Sequence, residues 1–248
     1  MPRKAEPGKR PARGKRNETP LQESLIPEAA LIDVRTLFPD LQPSLVAGID
    51  EAGRGCLAGP VVAAAVILPA GVTIAGLADS KIVPPSRRDG LAAEIGAVAL
   101  TWGLGVVWPP EIDRVNILQA TLKAMCHAAS VLKARPAGLL IDGNQAIPEA
   151  FFRARGWARP PEQRTVVDGD ARVPVISAAS ILAKTFRDAL MIKLDRRYPA
   201  YGFARHKGYG SREHLEALAA VGPCPLHRKT FRGVVGAPVP ERRQGSLV

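Results

Sequence analysis

Two adjacent carboxylates, Asp50 and Glu51, close the apolar run Ala47-Gly48-Ile49 and are followed at once by Gly53-Arg54-Gly55. Neighbouring residues of an extended chain point to opposite faces, so both acids can serve one centre only where a strand is ending and the backbone bends. The two glycines supply that bend. Lacking a Cβ, they let the main chain approach a ligand closely, and Arg54 offers a cationic fork to phosphates. Two acids beside such a turn suggest a divalent metal held near a phosphodiester. A bare Asp-Glu pair is more often a strand-to-turn junction with solvated acids; the glycines, Arg54 and the partners found further along reverse that weighting.

The elements that must position these residues follow from hydrophobic periodicity. Leu45 to Asp50 reads as a strand and the wholly apolar Val61 to Leu68 as a second, paired with the first as a hairpin around the Gly-Arg-Gly turn. Asp79-Ser80-Lys81 falls in a polar loop, Arg87 to Ala99 has helical spacing, and Thr101 to Trp108 alternates as a third strand. Pro109-Pro110 opens a helical stretch to about Ala134 with an internal break near Asn116. Gly138 to Asp142 and Arg164 to Val167 predict strands four and five, and Val173 to about Arg197 a long helix. The Gly-rich basic loop from His206 to Gly210 leads to a helix near Ser211 to Val221. Three strands followed by helix-strand-helix-strand-helix predict an α/β fold, a mixed five-stranded sheet flanked by helices, with the last two strands added in parallel by crossovers. The expected organisation is a basic disordered extension over residues 1–40, one domain over 45–232 with a helical C-terminal part, and a flexible tail over 233–248.

In such sheets ligands gather beyond the carboxyl ends of the strands, and Asp50, Asp142 and Asp170 all fall there, with Glu51 as a fourth acid. Hard cations such as Mg²⁺ or Mn²⁺ take oxygen ligands and keep several waters, so four carboxylates from distant segments could hold one or two of them with room for phosphate oxygens. Asp168 lies two residues before Asp170 and competes for the same role; the Gly169 turn separates them, and Asp170 is preferred. No histidine is placed for a zinc site or a triad. His206 sits in a basic loop suited to phosphate, while His127, His214 and His227 read as ordinary surface or packing residues.

Composition narrows the partners. The 248 residues are 46% apolar, enough for a globular core, and the net charge is +11. Residues 1–16 carry seven Lys or Arg against Glu6 alone and supply +6 of that charge, so a polyanionic partner is expected. No run of 18 apolar residues and no signal-peptide core is present, and Cys56, Cys126 and Cys224 form no CxxC pair. A cytoplasmic monomer with reduced cysteines and no membrane association is the expectation.

Taken in order, Asp50-Glu51-Ala-Gly-Arg-Gly, Asp79-Ser80-Lys81, Ile141-Asp142-Gly143-Asn144, Gly169-Asp170, Ser177-Ala-Ala-Ser180-Ile-Leu-Ala-Lys184 with Arg187-Asp188, and His206-Lys207-Gly208-Tyr209 resemble bacterial ribonuclease HII, the type 2 ribonuclease H. The resemblance runs from about Leu45 to Phe231. It implies the ribonuclease H fold and a metal-dependent endoribonuclease that hydrolyses the RNA strand of RNA/DNA hybrids by two-metal-ion catalysis. It further implies cutting on the 5′ side of single ribonucleotides embedded in duplex DNA, leaving 3′-hydroxyl and 5′-phosphate ends, with Asp50, Glu51, Asp142 and Asp170 as metal ligands. On the same carry-over, the Gly53-Arg54-Gly55 backbone approaches the ribose 2′-OH and Tyr209 stacks on the sugar of the next deoxynucleotide. Ser80, Lys81, Ser180, Lys184 and Lys207 become candidates for phosphate contacts. Two positions depart from the family pattern: Ile82 and Asp168 stand where lysines are usual, which removes positive charge near the substrate.

Two other readings compete. A junction resolvase or 3′-exonuclease of similar fold would place its acids differently, commonly as Asp-x-Glu, and has no use for a Gly-Arg-Gly turn paired with a downstream tyrosine. A nonenzymatic nucleic-acid binder is poorly served by four acids, each of which repels phosphate unless a metal intervenes. Deleting residues 1–20 is expected to weaken binding to all duplexes alike and to flatten its salt dependence between about 50 and 200 mM, with the cut position unchanged. Binding titrations and cut-site mapping check this; a truncation that moved the cut at constant salt would show that the arm reads structure.

Overall fold

The computed structural model describes residues 31–77 and 83–234. Most of the basic arm, the Asp79-Ser80-Lys81 segment with Ile82, and the end of the tail lie outside the described residues. The expected extension over 1–40 is corrected at its inner end. Residues 34–37 form the one-turn helix α1, and Phe38 is buried in the core with the Arg164 guanidinium 5.2 Å from its ring centroid. An aromatic beside Leu37 and Leu41, in a stretch where Arg35 stands against Asp33 and Asp40 and the basic run has ended, marks where the chain begins to pack.

Five strands form one sheet: β1 (Val46–Ala52), β2 (Val61–Ile67), β3 (Thr101–Val107), β4 (Gly138–Asp142) and β5 (Glu162–Val166), in the spatial order β3-β2-β1-β4-β5. β1 pairs antiparallel with β2 and β2 with β3, whereas β4 joins β1 and β5 joins β4 in parallel, which is the mixed sheet expected from the element order. The helices are α2 (Pro85–Val98), α3 (Pro109–Val115), α4 (Ile117–Ser130), α5 (Glu149–Ala154), α6 (Gly169–Arg172), α7 (Pro174–Asp195), α8 (Phe203–His206) and α9 (Arg212–Val221). The break between α3 and α4 falls at Asn116, whose backbone takes φ 70° and whose side chain caps α4 by accepting from the Gln119 amide at 3.0 Å. α5 stands where a helix was expected between the last two strands, whereas α1, α6 and α8, four residues each, were not foreseen, being too short for a 3.6-residue period to register.

β1 and β2 are buried on both faces, and the alternation of β1 sorts its residues between two cores. Val46 and Ala52 pack with α7, whereas Ala47 and Ile49 pack with α4. Asp50 has the parity of the α7 face and Glu51 that of the α4 face. The first turn of α7 lies directly on Gly48, where an added Cβ would stand 2.3 Å from the Val175 carbonyl oxygen. A third cluster, including Ala58, Met191, Tyr201, Phe203, Leu218 and Leu226, ties the C-terminal helices to the loop that follows β1.

Replacing Gly48 by Ala is therefore expected to push α7 off the sheet and lower stability by about 1–3 kcal/mol, the usual result of overpacking. Denaturant titration reads the loss; a variant as stable as the parent would mean that α7 does not depend on this close approach.

Candidate active site

The sheet gathers the predicted acids by register. β1 and β4 run in parallel with Gly48 opposite Leu140 and Ile49 opposite Ile141, so continuing by one residue sets Asp50 beside Asp142 at the carboxyl ends of adjacent strands. Asp142 Oδ1 accepts from the amides of Gly169 at 2.8 Å and Asp170 at 3.3 Å, which brings the start of α6 against β4. α6 is held in turn by the Ser177 hydroxyl, which donates to the Asp170 carbonyl at 2.6 Å. Asp50 and Asp170 are 5% and 4% exposed, while Asp168 is solvent-exposed in a left-handed conformation, φ 53°. The turn thus separates Asp168 from Asp170 and leaves Asp170 on the inner side, beside Asp142.

Electrostatics mark Asp50 as the crowded member. Burial first, then the negative charges of Glu51 and Asp142, push its carboxyl well above the ordinary carboxylate range. Hydrogen bonds from Ser180 and from the Glu51 amide, at 2.6 Å, oppose that shift. Glu51 also meets the exposed Arg54 at 3.3 Å. Among the described residues no three His, Cys, Asp or Glu side chains stand as a preformed metal cage. A small hard cation needs no such cage, since it binds through one or two carboxylates and keeps waters or substrate oxygens for the rest. The donor set fits that chemistry: all four side chains offer hard oxygens, and like charges crowd at the buried Asp50.

The Gly-Arg-Gly turn is shaped by two arginines to which the sequence reading gave no role. Arg187 of α7 is fully buried and donates from Nε to Pro60 O at 2.9 Å, from one terminal nitrogen to Ala58 O at 3.1 Å and from the other to Lys207 O at 2.9 Å. Arg228, also fully buried, donates to the carbonyls of Gly53 at 2.7 Å, Arg54 at 2.7 Å and Gly59 at 3.0 Å. Burial lowers its pKa to about 10, so it is still cationic at neutral pH. In a trans peptide the N–H points opposite to the C=O. Drawing the Gly53 and Arg54 carbonyls inward to Arg228 therefore turns the Arg54 and Gly55 N–H groups outward, on the exposed side of the loop. Gly53 has φ +95° and an added Cβ would meet Arg187, whereas an added Cβ at Gly55 would meet nothing within 4 Å. Gly53 is thus required by packing, and the open approach to a ligand lies at Gly55.

Tyr209 comes to the same loop. Its hydroxyl interacts with the buried Cys56 thiol, its ring is half exposed, and the Lys184 ammonium lies 5.6 Å from the ring centroid. Lys184 is paired with Asp188 at 2.8 Å, and Asp188 also holds Arg88 of α2 at 3.1 Å. Lys207 has a left-handed backbone and bonds the Ala204 carbonyl. His206 is turned inward, bonded to the Tyr201 carbonyl and the Gly208 amide rather than presented to solvent. Ser80 and Lys81 lie outside the described residues. Of the two arginines, Arg187 was traceable in principle, because it continues the buried helical stripe of Ile176, Ser180, Ala183 and Met191. Arg228 sits in irregular chain, where no period could single it out.

Comparison with known proteins points to one family. The family profile described as Ribonuclease HII matches residues 47–234. A Ribonuclease HII of Nitratidesulfovibrio vulgaris is 57% identical over 202 residues, covering 81% of this chain and 92% of its own length. A Ribonuclease HII of Geobacter sulfurreducens is 53% identical over 189 residues, covering 76% and 82%. Among solved structures, the ribonuclease H2 from Pyrococcus horikoshii OT3 matches with a TM-score of 0.61 at 28% identity, over 76% of this chain and 94% of that one.

Arg228→Met should strand the carbonyls of the turn in a buried place, at a cost on the order of 3 kcal/mol or more, and abolish turnover along with it. Thermal melting and a cleavage assay check this; an active, fully stable variant would show that the turn holds its shape without the guanidinium.

Proposed function

Because the chain belongs to the ribonuclease HII family and is thereby a ribonuclease H enzyme, we propose that it hydrolyses the RNA strand of RNA/DNA hybrids. It also cuts on the 5′ side of single ribonucleotides embedded in duplex DNA, leaving 3′-hydroxyl and 5′-phosphate ends. The observation that carries the reading is that β1 delivers Asp50 and Glu51 directly into a turn whose Arg54 and Gly55 N–H groups face outward. Acids fit for a cation and main-chain donors fit for a hydroxyl thus lie within a few residues of each other.

In this reading Asp50, Glu51, Asp142 and Asp170 hold Mg²⁺ or Mn²⁺ in a two-metal-ion site. A bound cation of this kind supplies Lewis-acid polarisation of the scissile phosphate and eases deprotonation of the attacking water. Ser180 orients the Asp50 carboxyl through its hydrogen bond, and the Gly169 and Asp170 amides orient that of Asp142. The Arg54 and Gly55 amides take the 2′-hydroxyl, the group that separates ribose from deoxyribose. Tyr209 packs on the sugar of the following deoxynucleotide, so that an RNA-to-DNA junction is read. Lys184 and Lys207 serve as phosphate contacts by exchanging Asp188 and the Ala204 carbonyl for the backbone of the nucleic acid. Ser80 and Lys81, which precede α2, are proposed for the same role.

The test is cleavage of duplexes carrying one ribonucleotide, one deoxynucleotide or one 2′-O-methyl nucleotide at the same position, with Mg²⁺, with Mn²⁺ and with chelator. Only the ribonucleotide duplex should be cut, only with metal, and on the 5′ side. Asp142→Asn and Asp170→Asn should each lose at least about a hundredfold in rate, with Asp168→Asn within about twofold of the parent. Cleavage of the all-DNA duplex would replace this reading by a general two-metal nuclease, and a reversed ranking of Asp168 and Asp170 would reassign the fourth ligand.

A further inference from the structure

Beneath Tyr209 lie three histidines outside the acidic site. His214 of α9 and His227 are 0% and 1% exposed, and their Nε2 atoms are 3.0 Å apart. The two nitrogens can share only one proton, and the outer contacts decide where the protons sit. His214 Nδ1 is 2.8 Å from the Tyr209 carbonyl oxygen, which can only accept, so His214 carries its proton on Nδ1 and its Nε2 is an acceptor. His227 must then donate from Nε2, which leaves its Nδ1 to accept the Cys224 amide at 3.0 Å. The opposite assignment, with His227 Nδ1 donating to the Cys224 carbonyl at 3.3 Å, would force a bare His214 Nδ1 against the Tyr209 oxygen. One direction satisfies every group: Cys224 N–H to His227, His227 to His214, His214 to the Tyr209 carbonyl.

The surroundings disfavour a further proton. It would have to sit on His227 Nδ1, where it would displace the Cys224 amide that donates there at 3.0 Å and turn instead to the Cys224 carbonyl at 3.3 Å. The titratable groups facing the pair are His206, stacked on His214 at 4.4 Å, Tyr201, whose ring is 4.7 Å from that of His227, and Cys224. None brings a negative charge at neutral pH: His206 donates to the Tyr201 carbonyl and accepts from Gly208, and burial raises both the Tyr201 hydroxyl and the Cys224 thiol. Phe203 meets His214 edge-on. Burial accordingly holds His214 below the ordinary imidazole value and His227 down to about 4.

We propose that His214 and His227 are positioning residues for Tyr209, two neutral imidazoles in series that hold its main chain in place for recognition of the sugar beside the cut. The inference rests on the reading of Tyr209 as that sugar contact. The Tyr209 carbonyl also accepts from the Ser211 amide at 2.8 Å, and Gly208 O accepts from Leu57 N at 2.8 Å, so a shift of Tyr209 would be felt in the loop after β1. Because the folded pKa values lie below the unfolded one, the stability that the neutral pair contributes is complete above about pH 6.5 and is lost as pH falls from there towards about 4.

The experiment measures kcat and KM on a single-ribonucleotide duplex at neutral pH for the parent, Tyr209→Ala, His214→Leu, His214→Asn and the double variant His214→Leu with Tyr209→Ala. The Asn amide can replace the Nδ1–H donor, so His214→Asn should stay within about threefold of the parent, while His214→Leu should approach the loss of Tyr209→Ala. The double variant should be no worse than Tyr209→Ala alone. Fully additive losses would overturn the positioning role with the reading of Tyr209 intact, whereas an unaffected Tyr209→Ala would overturn that reading and this inference with it. Should His214→Leu fail to fold, ¹⁵N spectra of the parent imidazoles decide the matter. Neutral rings protonated on His214 Nδ1 and His227 Nε2 are expected, and an imidazolium or the reverse tautomers at neutral pH would overturn the relay.

Discussion

Two buried guanidiniums bonded to main-chain carbonyls are the interaction on which the site depends. Burying a cation costs several kcal/mol after relaxation, and a hydrogen bond to a charged group returns about 1.5–3 kcal/mol. Arg187 and Arg228 together reach the carbonyls of residues 53, 54, 58, 59, 60 and 207. Those oxygens and the two cations therefore satisfy each other. The turn after β1 is irregular chain with little secondary structure of its own, and its shape is set by residues more than a hundred positions away. Asp113 extends the arrangement by accepting from the amides of Lys229 and Thr230, which fastens the chain just beyond Arg228 to α3.

The acids rest on a different support. Asp50 and Asp142 come from adjacent parallel strands in fixed register, and a one-residue slip would reverse their faces and exchange the apolar residues fitted to the α7 core with those fitted to the α4 core. The apolar positions that bury the sheet on α7 and α4 therefore also fix which way each carboxylate points. Gly48 lets α7 close on the sheet, and Ser180 and Ser177, on the helix face that then meets β1 and α6, reach Asp50 and the Asp170 carbonyl. Core packing and the orientation of the acids are one arrangement seen at two depths.

The two parts of the site should consequently fail in different ways. Loss of a carboxylate leaves the sheet and the loops standing, whereas loosening the arginine or histidine contacts disturbs the loops proposed to meet the sugar while the strands keep their register. Such a division suits an enzyme that must both discriminate and cut, because a rigid sheet is a better holder of charges than a loop, and a loop can follow the curved surface of a nucleic acid more closely than a strand.

The sequence by itself carried the five strands, their mixed order, the break at Asn116 and the set of acids, because each is written in local patterns: period-2 and period-3.6 apolar spacing, prolines, and carboxylates at strand ends. It also kept Asp168 and Asp170 apart through the intervening glycine. What it could not carry was which polar groups meet across the fold. An arginine that bonds carbonyls more than a hundred residues away looks the same in a sequence as a solvated one, and two histidines thirteen residues apart give no sign that they share a proton. Asp50 is pushed toward its neutral form by burial under the packed chain and by Asp142 on the neighbouring strand as well as by Glu51, and Gly53 is needed both for its positive φ and because Arg187 passes over it. Periodicity reports the environment along one element; buried polar pairing depends on the positions of two elements at once, and that is decided only when the chain has packed.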